Sequence, residues 1–242
     1  MKQSELLDIL SGFILRYNSE KPVKVGIDGI DASGKTTIAD LLVEHIKKLT
    51  SREVIRASID GFHNPKHIRM SRGEVSPIGY FEDSFDYSKL REVLLDPLCK
   101  SNDSEIRTRI FDYKKDTPVH DEPISISRDA ILIFDGIFLM RKEISDYWDI
   151  TVFLKVDFCE ALKRAIKRDG IYFNNIDLLK EKYEKRYFPA QEIYFEKYKP
   201  EEKVNIVIDN NDYHNPALTI IKIPNSVSVD YAFINKLSMT LS

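Results

Sequence analysis

Apolar positions along the chain follow two rhythms, and the switches between them mark out its elements. Leu6, Leu7, Leu10, Phe13, Ile14 and Tyr17 fall at helical spacing, which predicts a helix within residues 1–20 with one buried face. VKVGID (23–28) is a short β-branched run of the kind that forms a strand buried on both sides. Helical spacing returns over 36–50, where Ile38, Leu41, Leu42, Ile46 and Leu49 share a face. Apolar runs within 53–59, 129–139, 149–156 and 204–209 predict four more strands. Helices are predicted over 86–98, 158–169 and 177–188, with Pro189 interrupting the last. Residues 104–113 alternate as a half-exposed strand or hairpin would. Between these, 61–88 is rich in Gly, Pro, His, Arg and aromatics and has no period. Long irregular stretches of this kind are functional or disordered, and the aromatics argue against disorder.

Helices alternating with strands predict an α/β fold of three layers, a parallel sheet with helices on both faces. Ligands then bind at the carboxyl ends of the strands. Here those ends are Asp28–Thr37, Asp60–His63, Asp135–Gly136 and the residues after Val156 and Ile208.

At 242 residues and 43% hydrophobic content, the chain suits one globular domain with a lid or extension. The expected parts are an N-terminal helix (1–20), an insertion (61–125) that binds the acceptor, and a lid with following helices (158–200). The role of a C-terminal extension (216–242) is not read from its sequence. A formal charge of −3 argues against a nucleic-acid coat. Cys99 and Cys159 show no CxxC spacing, so zinc is not expected and two buried free thiols are. No apolar run reaches the roughly 18 residues of a membrane span, and Glu5 and Asp8 break what would be a signal-peptide core. The expected location is the cytoplasm, with no membrane or nucleic-acid partner; a homo-oligomer stays open.

Gly29-Ile30-Asp31-Ala32-Ser33-Gly34-Lys35-Thr36 matches G-x-x-x-x-G-K-[ST] in full, between a strand and a helix. Glycines let the backbone turn its N–H groups toward phosphate oxygens, Lys35 brings charge to the β and γ phosphates, and Thr36 can ligate magnesium. With Thr37, these residues form the expected ATP site. Asp135 ends the run Ile131-Leu132-Ile133-Phe134 and is the second expected magnesium ligand. Asp60 ends the second strand, where a carboxylate could orient an acceptor hydroxyl and take its proton. Arg164 and Arg168, four apart on one helix, could reach the transferring phosphoryl group or form a solvated basic face. His63 could touch the acceptor or sit in a polar loop.

The loop GIDASGKTT, the strand end DGFH, the segment YFEDSFDYSKL, the strand ILIFDGIFL and the segment RYFPAQEIY together resemble the uridine kinase and phosphoribulokinase group of P-loop kinases. The resemblance runs from about Val23 to Asn210. It implies a P-loop NTPase fold with a helical lid, and transfer of the ATP γ-phosphate, with Mg2+, to a hydroxyl of a small molecule. The implied acceptor is nucleoside-like, first of all the 5′-hydroxyl of uridine. Asp60 is then the base, with Lys35 and Arg168 as its catalytic partners. Phe62, His63, Glu82, Asp83, Phe111 and Arg164 are the expected acceptor contacts, with Glu82 or Asp83 near the sugar hydroxyls. The chain departs from uridine-cytidine kinases in carrying Phe111-Asp112-Tyr113 for Tyr-Asp-Phe, and Asp116 where a histidine is expected. Relatives act on pantothenate, phosphoribulose, glycerate or nicotinamide riboside. A nucleotide-dependent regulatory module that binds a protein partner is the alternative from another class. A nucleoside monophosphate kinase would need a phosphate pocket, for which His63, Arg69 and Arg72 are candidates.

Overall fold

The computed structural model describes residues 1–100, 104–169 and 176–228. Parts of the expected lid (170–175) and of the C-terminal extension (229–242) lie outside the described residues.

Six strands form the central sheet: β1 (Val23–Gly29), β2 (Val54–Ser58), β3 (Ile131–Asp135), β4 (Ile150–Lys155), β5 (Ile206–Asp209) and β6 (Ala217–Ile220). Their spatial order is β6-β5-β4-β1-β3-β2. β1 lies in the middle, pairing with β3 through Ile27↔Asp135 and with β4 through Gly29↔Leu154. All pairings are parallel except the edge pair of β6 with β5, so the sheet is mostly parallel.

The period of two along each strand sorts side chains onto two faces. Val23, Val25, Ile27, Ile131, Ile133, Val152 and Ile208 pack under helix α1 (Gln3–Leu15) and helix α2 (Lys35–Ile46). Leu132, Phe134, Phe153 and Ala57 face the other way, into an aromatic-rich layer with Trp148 and Tyr194. That layer draws on helix α3 (Pro77–Asp83), the helical run 87–99 and, after the lid, helix α6 (Phe188–Tyr198). A third cluster joins helix α4 (Phe158–Asp169) and helix α5 (Ile176–Lys182) to the first turn of the glycine loop through Ala161, Ala165, Leu179, Tyr183 and Ile30. This third core seats the lid on the nucleotide loop.

Several expectations change. Pro189 does not interrupt the helix, because Tyr183–Tyr187 forms a wide π turn and Pro189 falls in the first turn of α6. The chain stays helical through Lys182 and Phe188, and the wide turn is where the hydrogen-bond ladder accommodates the N–H that Pro189 lacks. Leu49 lies beyond the end of α2 and is exposed. Beyond the strand 206–209, part of the stretch whose role is not read from sequence, 217–220, forms β6 as an antiparallel edge. Both thiols are free, yet Cys159 is exposed and Cys99 half-buried. Residues 104–113 do form hairpin strands, Ser104–Ile106 with Ile124–Ile126 and Phe111–Asp112 with Thr117–Pro118. No helix among the described residues is long and apolar enough to cross a membrane.

Candidate active site

The glycine loop connects the end of β1 to the start of α2. Gly29 has φ +149°, and a Cβ there would lie 2.6 Å from the Leu154 carbonyl and 2.9 Å from Ser33 Oγ. Gly34 has φ +96°, and a Cβ would meet Asn210 Nδ2 at 3.0 Å. Glycine is therefore required at both places by conformation and by space. The loop is braced from β5: Asn210 Nδ2 donates to the Ser33 carbonyl at 2.8 Å. Ser33 itself is fully buried. Lys35 is buried and its Nζ donates to the Ile30 carbonyl at 2.6 Å, folded onto the loop it serves.

At the metal end, Thr36 Oγ1 donates to Asp135 Oδ2 at 2.7 Å. Asp135 Oδ1 lies 2.8 Å from an Arg56 Nη, yet it is buried and receives no well-directed hydrogen bond. A buried carboxylate beside a hydroxyl, with one oxygen facing only the Arg56 guanidinium, is a hard-oxygen donor set that fits Mg2+. Such an ion keeps several waters and takes further ligands from phosphates, so two protein oxygens suffice.

Asp60 lies in a tight turn (Ile59–Phe62) just past β2, and β2 pairs with β3 through Ser58↔Asp135. That pairing brings Asp60 beside Asp135. The Asp60 carboxylate faces the cleft, and among the described residues no hydrogen bond or ion pair holds it. It is open to solvent there but crowded by protein on its other sides. This crowding, with help from Asp135, raises its pKa, while Lys35 and Arg168 oppose the rise.

A cavity of about 1270 Å³ collects these groups: Asp31, Lys35, Thr36, Asp60, Asp135 and Arg168 all line it. Ala32, Gly34, Thr37, His63 and Arg164 also reach it. His63 is wedged between Phe85 and Tyr113, at 4.6 and 4.8 Å between ring centroids. Its Nδ1 lies 3.0 Å from the Asp60 carbonyl. Burial pushes its pKa down to about 4, so the ring is neutral and Nδ1–H donates. Arg168 lies against Asp169 at 2.7 Å, which raises its pKa and keeps it charged.

The other expected acceptor contacts are buried or engaged with partners of their own. Phe62 is fully buried against Phe134. Phe111 is buried in its hairpin, and its neighbour Tyr113 lines the cavity instead. Glu82 turns to Arg141 at 3.2 Å and Asp83 to Arg72 at 2.8 Å, so neither faces the cavity. The Arg164 guanidinium is taken up by Glu160 and by the Asn210 and Asn211 carbonyls at 2.7 and 2.8 Å. It braces the nucleotide loop, away from the 61–88 segment.

The contacts of Asp31 with Tyr80 and Gln191, and of Asp28 with Tyr194, have no local signal in the sequence. Asp31 Oδ2 accepts from Tyr80 of α3 at 2.9 Å and from Gln191 of α6 at 2.5 Å. Asp28, fully buried at the end of β1, accepts from the Tyr194 hydroxyl and from the Gly29 N–H. Tyr194 in turn accepts from the Met140 N–H at 2.9 Å. Tyr80, Gln191 and Tyr194 thus tie the start of the nucleotide loop to helices far along the chain.

A strand, a glycine loop and a helix, with carboxylates at the two neighbouring strand ends, define a P-loop nucleotide-binding α/β protein. The model of the phosphoribulokinase/uridine kinase family matches residues 24–207, and the chain belongs to that family. A uridine kinase of Ureaplasma urealyticum serovar 10 is 30% identical over 154 residues, spanning 63% of this chain and 71% of that protein. A pantothenate kinase of Enterococcus faecalis is 29% identical over 178 residues, spanning 70% of this chain but only 57% of its own length. Among solved structures, one described as a possible uridine kinase from Bacillus stearothermophilus has a TM-score of 0.66 at 23% identity, covering 86% of this chain and 99% of that one. A D-glycerate 3-kinase from Cryptococcus neoformans has a TM-score of 0.63 at 13% identity, covering 88% and 99%. These likenesses show the shared fold.

Proposed function

We propose that the protein transfers the γ-phosphate of ATP to a hydroxyl of a small molecule, with Asp60 as the base. The observation that carries this reading is the Asp60 carboxylate, unpaired and open to the same cavity as Lys35, Thr36 and Asp135. An acceptor hydroxyl bound there gives its proton to Asp60 while its oxygen forms a bond to the γ-phosphorus. The bond from that phosphorus to the β,γ-bridging oxygen breaks, and ADP leaves. Lys35 supplies fixed positive charge to the β and γ phosphates, and Arg168 from the lid faces the charge on the moving group. Thr36 and Asp135 would hold Mg2+, which neutralises phosphate charge when bound. The insertion 61–125 then serves the acceptor and the 158–200 lid serves the phosphates, within one kinase domain.

The near-equal similarity to a uridine kinase and a pantothenate kinase leaves a nucleoside 5′-hydroxyl and a hydroxy acid as the acceptors to test. The test is ADP release with uridine, pantothenate, D-glycerate and sugar phosphates as added acceptors. One of them should stimulate turnover well above basal hydrolysis. Asp60→Asn should then lower kcat by about 10²–10⁴-fold and leave the KM for ATP within about twofold. Near-normal turnover in that variant would remove Asp60 from the role, and no stimulation by any acceptor would leave the regulatory-module reading.

A further inference from the structure

The acceptor side of the cavity holds charges that phosphoryl transfer does not use. Arg186 is 2% exposed and forms no ion pair among the described residues. Its Nη1 donates to the carbonyls of Gly73, Glu74 and Ser76 at 3.1, 3.1 and 3.2 Å, and its Nη2 to the Arg69 carbonyl at 2.9 Å. Its Nε is buried with no acceptor. Arg69, whose own carbonyl Arg186 holds, is the next cation. Only Nη2 of Arg69 is paired, with Asp116 at 3.1 Å, and its Nε is also buried and unsatisfied. Asp83 is already taken by Arg72 through two contacts. Both arginines line the cavity that contains Asp60 and His63.

Two adjacent guanidiniums repel each other, and carbonyl dipoles alone compensate a buried cation poorly. Buried N–H groups without acceptors add to the imbalance. A carboxylate or phosphate placed between them would correct all three, because guanidinium is built to bind such planar or tetrahedral anions through paired N–H groups. We propose that Arg69 and Arg186 form an anion subsite, so that the acceptor is a hydroxyl compound bearing a carboxylate or phosphate. Its anion sits at the two arginines and its hydroxyl at Asp60. This rests on the kinase reading above and narrows it away from an uncharged nucleoside. His63 already packs against Phe85 and Tyr113, so its ring is not free to stack on a nucleobase.

The test compares acceptors in charged and neutral pairs: pantothenate with panthenol, D-glycerate with glycerol, and ribose 5-phosphate with ribose, with uridine as a further neutral compound. In the parent enzyme the charged member of the working pair should have a KM about 10- to 100-fold lower, the range of one or two charge-assisted hydrogen bonds. Which pair works separates a carboxylate from a phosphate. Arg69→Gln, which loses the charge and leaves a shorter polar side chain, should bring the charged-to-neutral ratio to within about threefold. A loss of stability alone would not move that ratio. Arg186→Gln should do the same where it folds, since Arg186 also holds the 69–76 loop. Turnover of uridine with no preference for charged acceptors would overturn the subsite and leave the kinase standing. If nothing is phosphorylated the kinase reading falls. The subsite is then judged by calorimetric binding of pantothenate, D-glycerate and ribose 5-phosphate with a non-hydrolysable ATP analogue present. Binding weakened at least about tenfold by Arg69→Gln would keep it, and no binding would overturn it.

Discussion

Asp60 sits among groups that pull its ionisation in opposite directions, and the net effect is upward. A base must be ionised to accept a proton, so kcat/KM should rise with pH along a limb above the ordinary carboxylate value of about 4. His63, neutral from about pH 4 upward, should add no limb near pH 6.5. A limb near 6.5 that vanished in His63→Gln would show instead that the imidazole titrates during turnover. Asp28 gives a prediction of stability. Burial raises its pKa to about 6, outweighing the Tyr194 hydroxyl and the Gly29 N–H that favour the anion. A folded-state pKa above the unfolded one means that the folded protein binds the proton more tightly. The associated stability is complete below the unfolded value near 4 and is lost as pH rises through 6. A shift of about two units is worth on the order of 3 kcal/mol, and about half of it falls between pH 5 and 8. Asp28→Asn has no such proton to lose. Its Tm relative to the parent should therefore rise by roughly 3–5 °C from pH 5 to pH 8. A pH-independent difference would mean that Asp28 does not titrate in this range. The sequence marks Asp28 as lying at a binding edge, but its partner Tyr194 is 166 residues away, so no local pattern shows that its carboxyl is buried.

At the level of elements, short β-branched runs such as VKVGID and ILIF read directly as strands, because burial on both faces demands apolar residues at every position. The amphipathic helices read as well, and 158–169 matches α4 to the residue. What was not legible depends on partners. ALTI is too short and mixed to declare itself a strand, and it becomes one because β5 offers an open edge. Pro189 reads as a break unless the π turn before it is known. The fit between strand ends is equally hidden. Gly136, just past β3, would place a Cβ 2.7 Å from Ile59 Cβ and 2.9 Å from a Leu139 methyl. Ile59 adjoins Asp60 and Gly136 adjoins Asp135, so this contact sets the spacing of the two carboxylates. Gly136→Ala should cost about 1–3 kcal/mol through overpacking and lower kcat more than it raises the KM for ATP, as read from thermal melts and initial rates. A variant with parental Tm and kcat would show that the strand ends yield without consequence.

Across the whole molecule, the nucleotide end was legible because it is nearly contiguous: one motif, with its strand and helix, spans residues 23–46. The side of the cavity proposed for the acceptor draws on Asp31, His63, Arg69, Tyr80, Tyr113 and Arg186, which only the fold brings together. Residues expected there from the family resemblance, Phe62, Glu82, Asp83 and Phe111, turn into the core or toward other partners, because side chains next to each other on a turn or helix point in different directions. The same long-range ties make nucleotide binding a property of the whole fold. The loop is held by Asn210 at the end of β5, by Tyr80 of the insertion and by Gln191 of α6. A ligand that settles on the loop therefore stabilises segments from three distant parts of the chain at once. Binding only to the folded state adds about 2.7 kcal/mol at a hundred times Kd. For a chain of 242 residues that corresponds to a rise in Tm of roughly 5–10 °C. A non-hydrolysable ATP analogue with Mg2+ should produce this as one cooperative shift, smaller when the metal is chelated because Asp135 and Thr36 then face the phosphates without a bridging cation. Lys35→Ala should abolish most of it. A shift of the same size in that variant, or one that is indifferent to chelation, would place the nucleotide somewhere other than the Gly29–Thr36 loop.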